Sequence, residues 1–132
     1  MGNVENIENK ELKHITMIKK KEDVKVQTLE NTGIFSGKLF KNFILSSEEM
    51  GGRLKFFNKI ELTEGSMITD HAHIDDAEIY YILEGEVTVT DNDNTAVLKP
   101  GDVVFTGDGN RHSIKNTGKG IATFMAVIME NK

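Results

Sequence analysis

The chain has no cysteine, no tryptophan, a single proline and only two arginines in 132 residues. Without cysteine there is no disulfide framework and no thiol chemistry, so any metal site must use nitrogen and oxygen donors. No stretch approaches the ~20 consecutive apolar residues of a membrane span, and residues 1–16 lack the apolar segment of a secretory signal. The Met-Gly start carries Asn6 where a myristoylation signal has Ser or Thr. A formal charge of −5 and a pI near 5.4 argue against a nucleic-acid backbone as partner, which would call for clustered positive charge. Together these absences predict a cytoplasmic protein engaging neither membrane nor nucleic acid.

Helical periodicity is scarce as well. Turn signals recur every six to twelve residues between short β-rich segments, which predicts an all-β sandwich or barrel. Residues 1–23 read as a polar N-terminal arm, with residues 3–13 a short helix or a disordered arm and His14 a surface residue. Residues 24–132 read as a single domain. Lys19, Lys20 and Lys21 form a basic run cancelled at once by Glu22 and Asp23, the pattern of a solvated face.

Strand-like pieces begin near Val24 and Val26, Gly33 and Gly37 bracket a loop, and residues 38–45 form a strand. Residues 46–52 read as one capped helical turn stopped by glycine. Residues 53–62 form a long strand with Leu54, Phe56, Asn58, Ile60 and Leu62 on one face. Further on, residues 86–91 and 95–99 pair as a hairpin. Pro100 and Gly101 turn the chain into a strand over 102–106, and an apolar strand over 121–129 closes the chain. The Asp-x-Asp of the hairpin turn has Ala96 where a calcium loop has glycine, so a plain turn is the better reading.

Chemistry concentrates in residues 65–85. His71 and His73 lie two apart, so on an extended strand both imidazoles leave one face, ~6.6 Å apart at Cα. Both could reach one ion at about 2.0–2.2 Å. Residues 74–77 can turn the chain, returning Glu78 toward the same point on a neighbouring strand. A His-x-His pair alone also occurs in ordinary strands, as exposed or hydrogen-bonded imidazoles. A third histidine, His112, stands in the segment 100–116, which has its own spacing.

Together these segments resemble the paired motifs of the cupin family. The first motif is matched at Gly65, His71, His73, Glu78 and Gly85, and the second at Gly101, Gly109, His112 and Asn116. One departure stands in the second motif, where Gly107 replaces the usual proline; both residues serve turns, one by fixing φ and the other by permitting φ > 0. The resemblance implies a jelly-roll (double-stranded β-helix) barrel. It implies four ligands, His71, His73, Glu78 and His112, around one divalent transition metal (Mn, Fe, Ni, Co or Zn), with Asn116 not a ligand. It also implies a homodimer, for which residues 24–45 are the candidate surface.

Such a ligand set on a six-coordinate ion leaves about two positions for water or a small-molecule ligand. Two functions follow. One is a metal-dependent enzyme on a small oxygen-rich or aromatic molecule, of the oxygenase, decarboxylase or isomerase type. The alternative is a non-catalytic binding or sensing module using the same site; a storage role suits one short domain poorly. Met67, Phe56, Ile82 and Phe105 are candidate apolar walls. Tyr80 and Ile82 share the parity of Glu78 and should point inward, with Tyr81 outward. Tyr80 is thereby the candidate catalytic or ligand-contacting group, against the alternative of a core tyrosine. Asp70 should face away, Asp75 and Asp76 should lie near the mouth, and Arg53 or Arg111 could meet an anionic substrate or be solvated.

Overall fold

A computed structural model describes residues 16–130, so the expectations for residues 3–13 and His14 fall outside the described residues. Ten strands carry almost all of the regular structure: β1 (Lys25–Thr32), β2 (Phe35–Ser46), β3 (Phe56–Leu62), β4 (Met67–Ala72), β5 (Asp76–Glu84), β6 (Val87–Asp91), β7 (Asn94–Leu98), β8 (Val103–Thr106), β9 (Arg111–Asn116) and β10 (Ala122–Glu130). A single turn of 3-10 helix spans Lys21–Asp23.

The antiparallel strands divide into two layers. One runs β1-β2-β3-β10-β5-β8, the other β7-β6-β9-β4. The layers are joined along one side by the β2–β4 pairs Phe35 with Ile68 and Ser36 with Met67. Leu39, Ile60, Leu62, Tyr80, Ile82 and Phe124 from the first layer pack on Ile68, Val87, Val89 and Ile114 from the second. This is the nearly closed β-barrel anticipated from the turn spacing. β10, apolar along most of its length, lies between β3 and β5 with its inward residues buried, as suits a central strand.

Several local expectations are corrected. Only residues 33–34 form the turn between β1 and β2; Gly37 lies inside β2, at φ +80°, where a Cβ would run into the side chain of Ser66. Residues 46–52 turn without becoming a helix. The cap itself is present: the Glu49 N–H donates to Ser46 Oγ (3.1 Å) and the Ser46 N–H to Glu49 Oε1 (2.8 Å). Gly51 and Gly52, both at positive φ, end the turn before a second one can form. The strand expected over 53–62 starts at Phe56, and within it Asn58, Ile60 and Leu62 are the buried face. In the basic run, Lys20 and Lys21 are exposed, but Lys19 reaches the Ile44 carbonyl and Glu49.

Candidate metal centre

The four motif side chains arrive from three stretches of backbone. His71 on β4 and His112 on β9 are direct cross-strand partners in the second layer. Glu78 stands on β5 in the first layer, where it pairs with Thr106 of β8 and Ile128 of β10. The chain therefore crosses between layers after β4, and Glu78 reaches the histidines across the barrel interior. The expected return on a neighbouring strand does not occur. His73 lies one residue beyond β4, fixed by its N–H to the Asn110 carbonyl and by the Gly109 N–H to its own carbonyl.

A β-bulge aims His71. Ile68 pairs with Ile114 and His71 with His112, so three steps on β4 oppose two on β9. The extra residue turns both Ile68 and His71 inward and leaves Asp70 outside, bound to Arg111 at 2.6 Å. Simple alternation would have put Met67 on the wall with His71. The bulge breaks that parity, and Met67 does not line the pocket.

The four ligand atoms converge. His112 Nε2 lies 2.9 Å from His71 Nε2, 3.1 Å from His73 Nε2 and 3.0 Å from Glu78 Oε1; His73 Nε2 is 2.9 Å from that same oxygen. His71 Nε2 is farther from it, at 3.7 Å. Among the described residues this is the one group of three or more His, Cys, Asp or Glu side chains arranged to hold an ion.

The partners of the other ring nitrogens fix which nitrogen presents a lone pair. His71 Nδ1 faces the Thr69 carbonyl at 2.7 Å, so the nitrogen must carry the proton. His73 Nδ1 donates to Asp76 Oδ1 at 2.6 Å, and Asp76 also holds Lys55 at 2.9 Å. The Thr106 hydroxyl donates to Asp91 at 2.8 Å, leaving its oxygen to accept from His112 Nδ1 at 2.9 Å. With all three Nδ1 positions protonated, three Nε2 lone pairs and a carboxylate oxygen crowd one point. One shared proton can bridge only some of these contacts, whereas a cation is attracted to all four. Ligands adjacent on a six-coordinate ion at ~2.1 Å lie ~3.0 Å apart, which matches four of these separations better than the ~3.4 Å of a tetrahedron.

Electrostatics agree with this crowding. Burial alone would push the Glu78 carboxyl up, but its hydrogen bonds with His112 and His73 and the nearby His71 ring hold it well below the carboxylate range. The Glu78 hydrogen bond raises His73 above the ordinary imidazole value, with Asp76 adding to it, whereas burial lowers His112. Tyr80 is 1% exposed and stacks on His112 with centroids 4.6 Å apart and planes 12° from parallel. Burial and the Glu78 charge raise its phenol well above its usual value. At working pH it is a hydrogen-bond donor and not a base.

A cavity of about 130 Å³ opens beside the cluster, lined by His71, His73, Glu78 and Tyr80 and by apolar side chains including Phe35, Phe56, Ile60 and Ile128. Of the apolar walls expected, Phe56 is there. Ile82 is sealed in the core, and Phe105 is 59% exposed on the outer face because Thr106 takes the inward parity of β8. Tyr81 points outward as expected. Neither arginine reaches the cavity: Arg111 is engaged by Asp70, and Arg53 bonds the Met50 carbonyl beside a separate surface hollow of about 540 Å³. Asp75 is exposed in the loop, while Asp76 serves His73. Asn116 ties loops together, donating to the Leu62 and Gly120 carbonyls. Sequence reasoning missed Lys41, the cavity's one cationic side chain apart from its histidines. It also missed the Thr106–Asp91 support of His112, which no spacing reveals because the partners sit on three different strands.

Comparison with known proteins agrees with this architecture. The "Cupin domain" family matches residues 58–128. An oxalate-binding protein of Thermotoga maritima is 35% identical over 113 residues, 86% of this chain and 93% of its own. The crystal structure of a predicted oxalate decarboxylase from the same organism superposes with a TM-score of 0.81 at 35% identity, covering 87% of this chain and all (100%) of the other. A cupin 2 conserved barrel protein of Rhodopseudomonas palustris shares the fold at a TM-score of 0.69 and 15% identity, over 83% of this chain and 74% of its own. By fold, motif and sequence match, the chain belongs to the cupin family.

Proposed function

We propose that the chain binds one divalent transition metal through His71, His73, Glu78 and His112 and uses it to hold a small oxygen-donating molecule in the adjoining cavity. The observation that carries this reading is the set of three Nδ1 acceptors: Thr69, Asp76 and Thr106 leave all three Nε2 lone pairs aimed at one point with Glu78. When bound, the ion supplies a Lewis-acidic centre that polarises and orients an oxygen ligand. A cavity of about 130 Å³ suits a molecule of a few heavy atoms, and the Thermotoga relative described as an oxalate-binding protein supports a ligand of that size and oxygen content. Replacing His73 or Glu78 by Ala should drop bound metal from one ion per chain to well below that by elemental analysis; unchanged stoichiometry rejects the ligand set.

The enzymatic reading, an oxygenase, decarboxylase or isomerase, is favoured by the open side of the cluster facing the cavity. Tyr80 and Lys41 are the side chains there with a proton to place on a ligand. Turnover of oxalate by metal-loaded protein, followed as CO₂ and formate release, separates decarboxylation from simple binding.

A further inference from the structure

Lys41 lies on β2 between Leu39 and Phe43, on the face that turns toward the barrel interior, opposite Ile60 of β3. Lys41 is half-buried, so its ammonium gives up part of its water. Among the described residues the ammonium has no hydrogen bond and no ion pair, in contrast to Lys19 and Lys55, which each hold a carboxylate. It is surrounded by aromatic faces: its Nζ lies 5.0 Å from the Phe56 ring centroid, 5.4 Å from Phe35 and 5.8 Å from Phe43. Three π faces hold a cation in place while leaving its N–H donors unspent. Lys41 lines the same cavity as His71, His73 and Glu78.

We infer that Lys41 is the specificity-determining residue of this cavity, pairing with an acidic group on the small ligand while the metal takes its other oxygens, so that the site selects a carboxylate-bearing anion over a neutral chelator. The inference rests on the metal-site reading above. Charge balance supports it. A divalent ion outweighs the single charge of Glu78, and Lys41 adds to the excess, which an anion neutralises. Burial holds the Lys41 ammonium below its ordinary value, with the Glu78 charge offsetting part of that, as expected of a cation awaiting a counter-ion. The phenyl cage also explains why an ammonium suffices here, since the ring faces fix its position without a planar fork.

The test is calorimetric titration of Mn²⁺-loaded wild-type, Lys41→Met and Lys41→Arg protein with oxalate, malonate and oxamide, the neutral diamide of oxalate, with bound manganese counted in each sample. Lys41→Met should keep one manganese per chain, lose about 10–100-fold in affinity for the dicarboxylates, as expected for a charged hydrogen bond, and bind oxamide as wild type does. Lys41→Arg should retain most of the dicarboxylate affinity. Equal dicarboxylate affinity in wild type and Lys41→Met, with manganese bound in both, overturns the role of Lys41 and leaves the metal site standing. An equal loss toward the neutral chelator overturns it too, since that marks a damaged cavity. Wild-type protein that holds no manganese overturns the metal-site reading itself, and this inference with it.

Discussion

Three imidazoles that share one target do not share one environment. His73 sits between two carboxylates, donating to Asp76 and facing Glu78, and both raise its proton affinity against the opposing effect of burial. His112 is sealed behind Tyr80 with the neutral Thr106 hydroxyl as Nδ1 acceptor, and burial lowers its proton affinity. In metal-free protein a proton is therefore held more readily by His73 than by His112, and the charged form of His73 bridges Asp76 and Glu78. A metal ion must displace that proton. Metal-free protein then holds more protons than the metal-bound form, so affinity rises with pH and falls as pH drops. Because the folded value of His73 is raised, the loss begins above the ordinary imidazole value of ~6.5 and continues below it. Isothermal titration with Mn²⁺ in buffers of different ionisation enthalpy should show proton release near pH 7 and weaker binding at pH 5.5 than at pH 8. Binding that is flat over that range counts against a three-histidine site.

At the level of elements, the turn over residues 107–110 is what brings His112 opposite His71 and ties down His73. Gly107 stands where the family motif usually has proline. Permission for φ > 0 does not explain it, because the left-handed residues of the turn are Asp108 and Gly109. Contact does: a Cβ at Gly107 would come 2.9 Å from the Ala77 Cβ, on the strand that carries Glu78. Gly107→Ala should cost about 1–3 kcal/mol by overpacking and lower the melting temperature by several degrees. Adding Ala77→Gly should recover part of that loss, a coupling that calorimetric melting of the two single variants and the double variant would reveal. Residue spacing made this turn and the inward parity of Glu78, Tyr80 and Ile82 legible, and the resemblance to the cupin motifs brought His112 to His71, His73 and Glu78. The bulge at residues 69–70 was not legible, because it is set by pairing with β9, 40 residues downstream, and leaves no local mark in Thr-Asp-His. Nor was the crossing of the chain between layers, since a two-residue loop after His73 suits a hairpin equally well. Lys41 escaped notice for a related reason: in the segment Lys-Leu-Phe-Lys-Asn its charge predicts an outward position, and only the assembled barrel shows it among phenyl rings.

Across the whole molecule, the two layers share a core but few backbone rungs: β2 and β4 meet only at Phe35 with Ile68 and Ser36 with Met67. The cluster lies where the layers have to be held by side chains, with His71 and His112 from one layer, Glu78 from the other and His73 on the crossing between them. A bound ion is then a cross-link between layers, and its binding free energy adds to stability because the unfolded chain has no such site. At free metal 100-fold above its dissociation constant the gain is ~2.7 kcal/mol, which for a domain of this length raises the melting temperature by about 5–15 °C. Calorimetric melting with excess Mn²⁺ and with EDTA should differ by that amount, and the difference should vanish in Glu78→Ala, which removes the tie to the first layer. Amide exchange locates the effect: metal should slow exchange at residues 71–76 and 107–112, while β3 and β10, paired on both sides inside the first layer, should change little. Equal melting temperatures with and without metal would mean that apolar packing alone closes the barrel, and that the four side chains contribute binding chemistry without bearing on the fold.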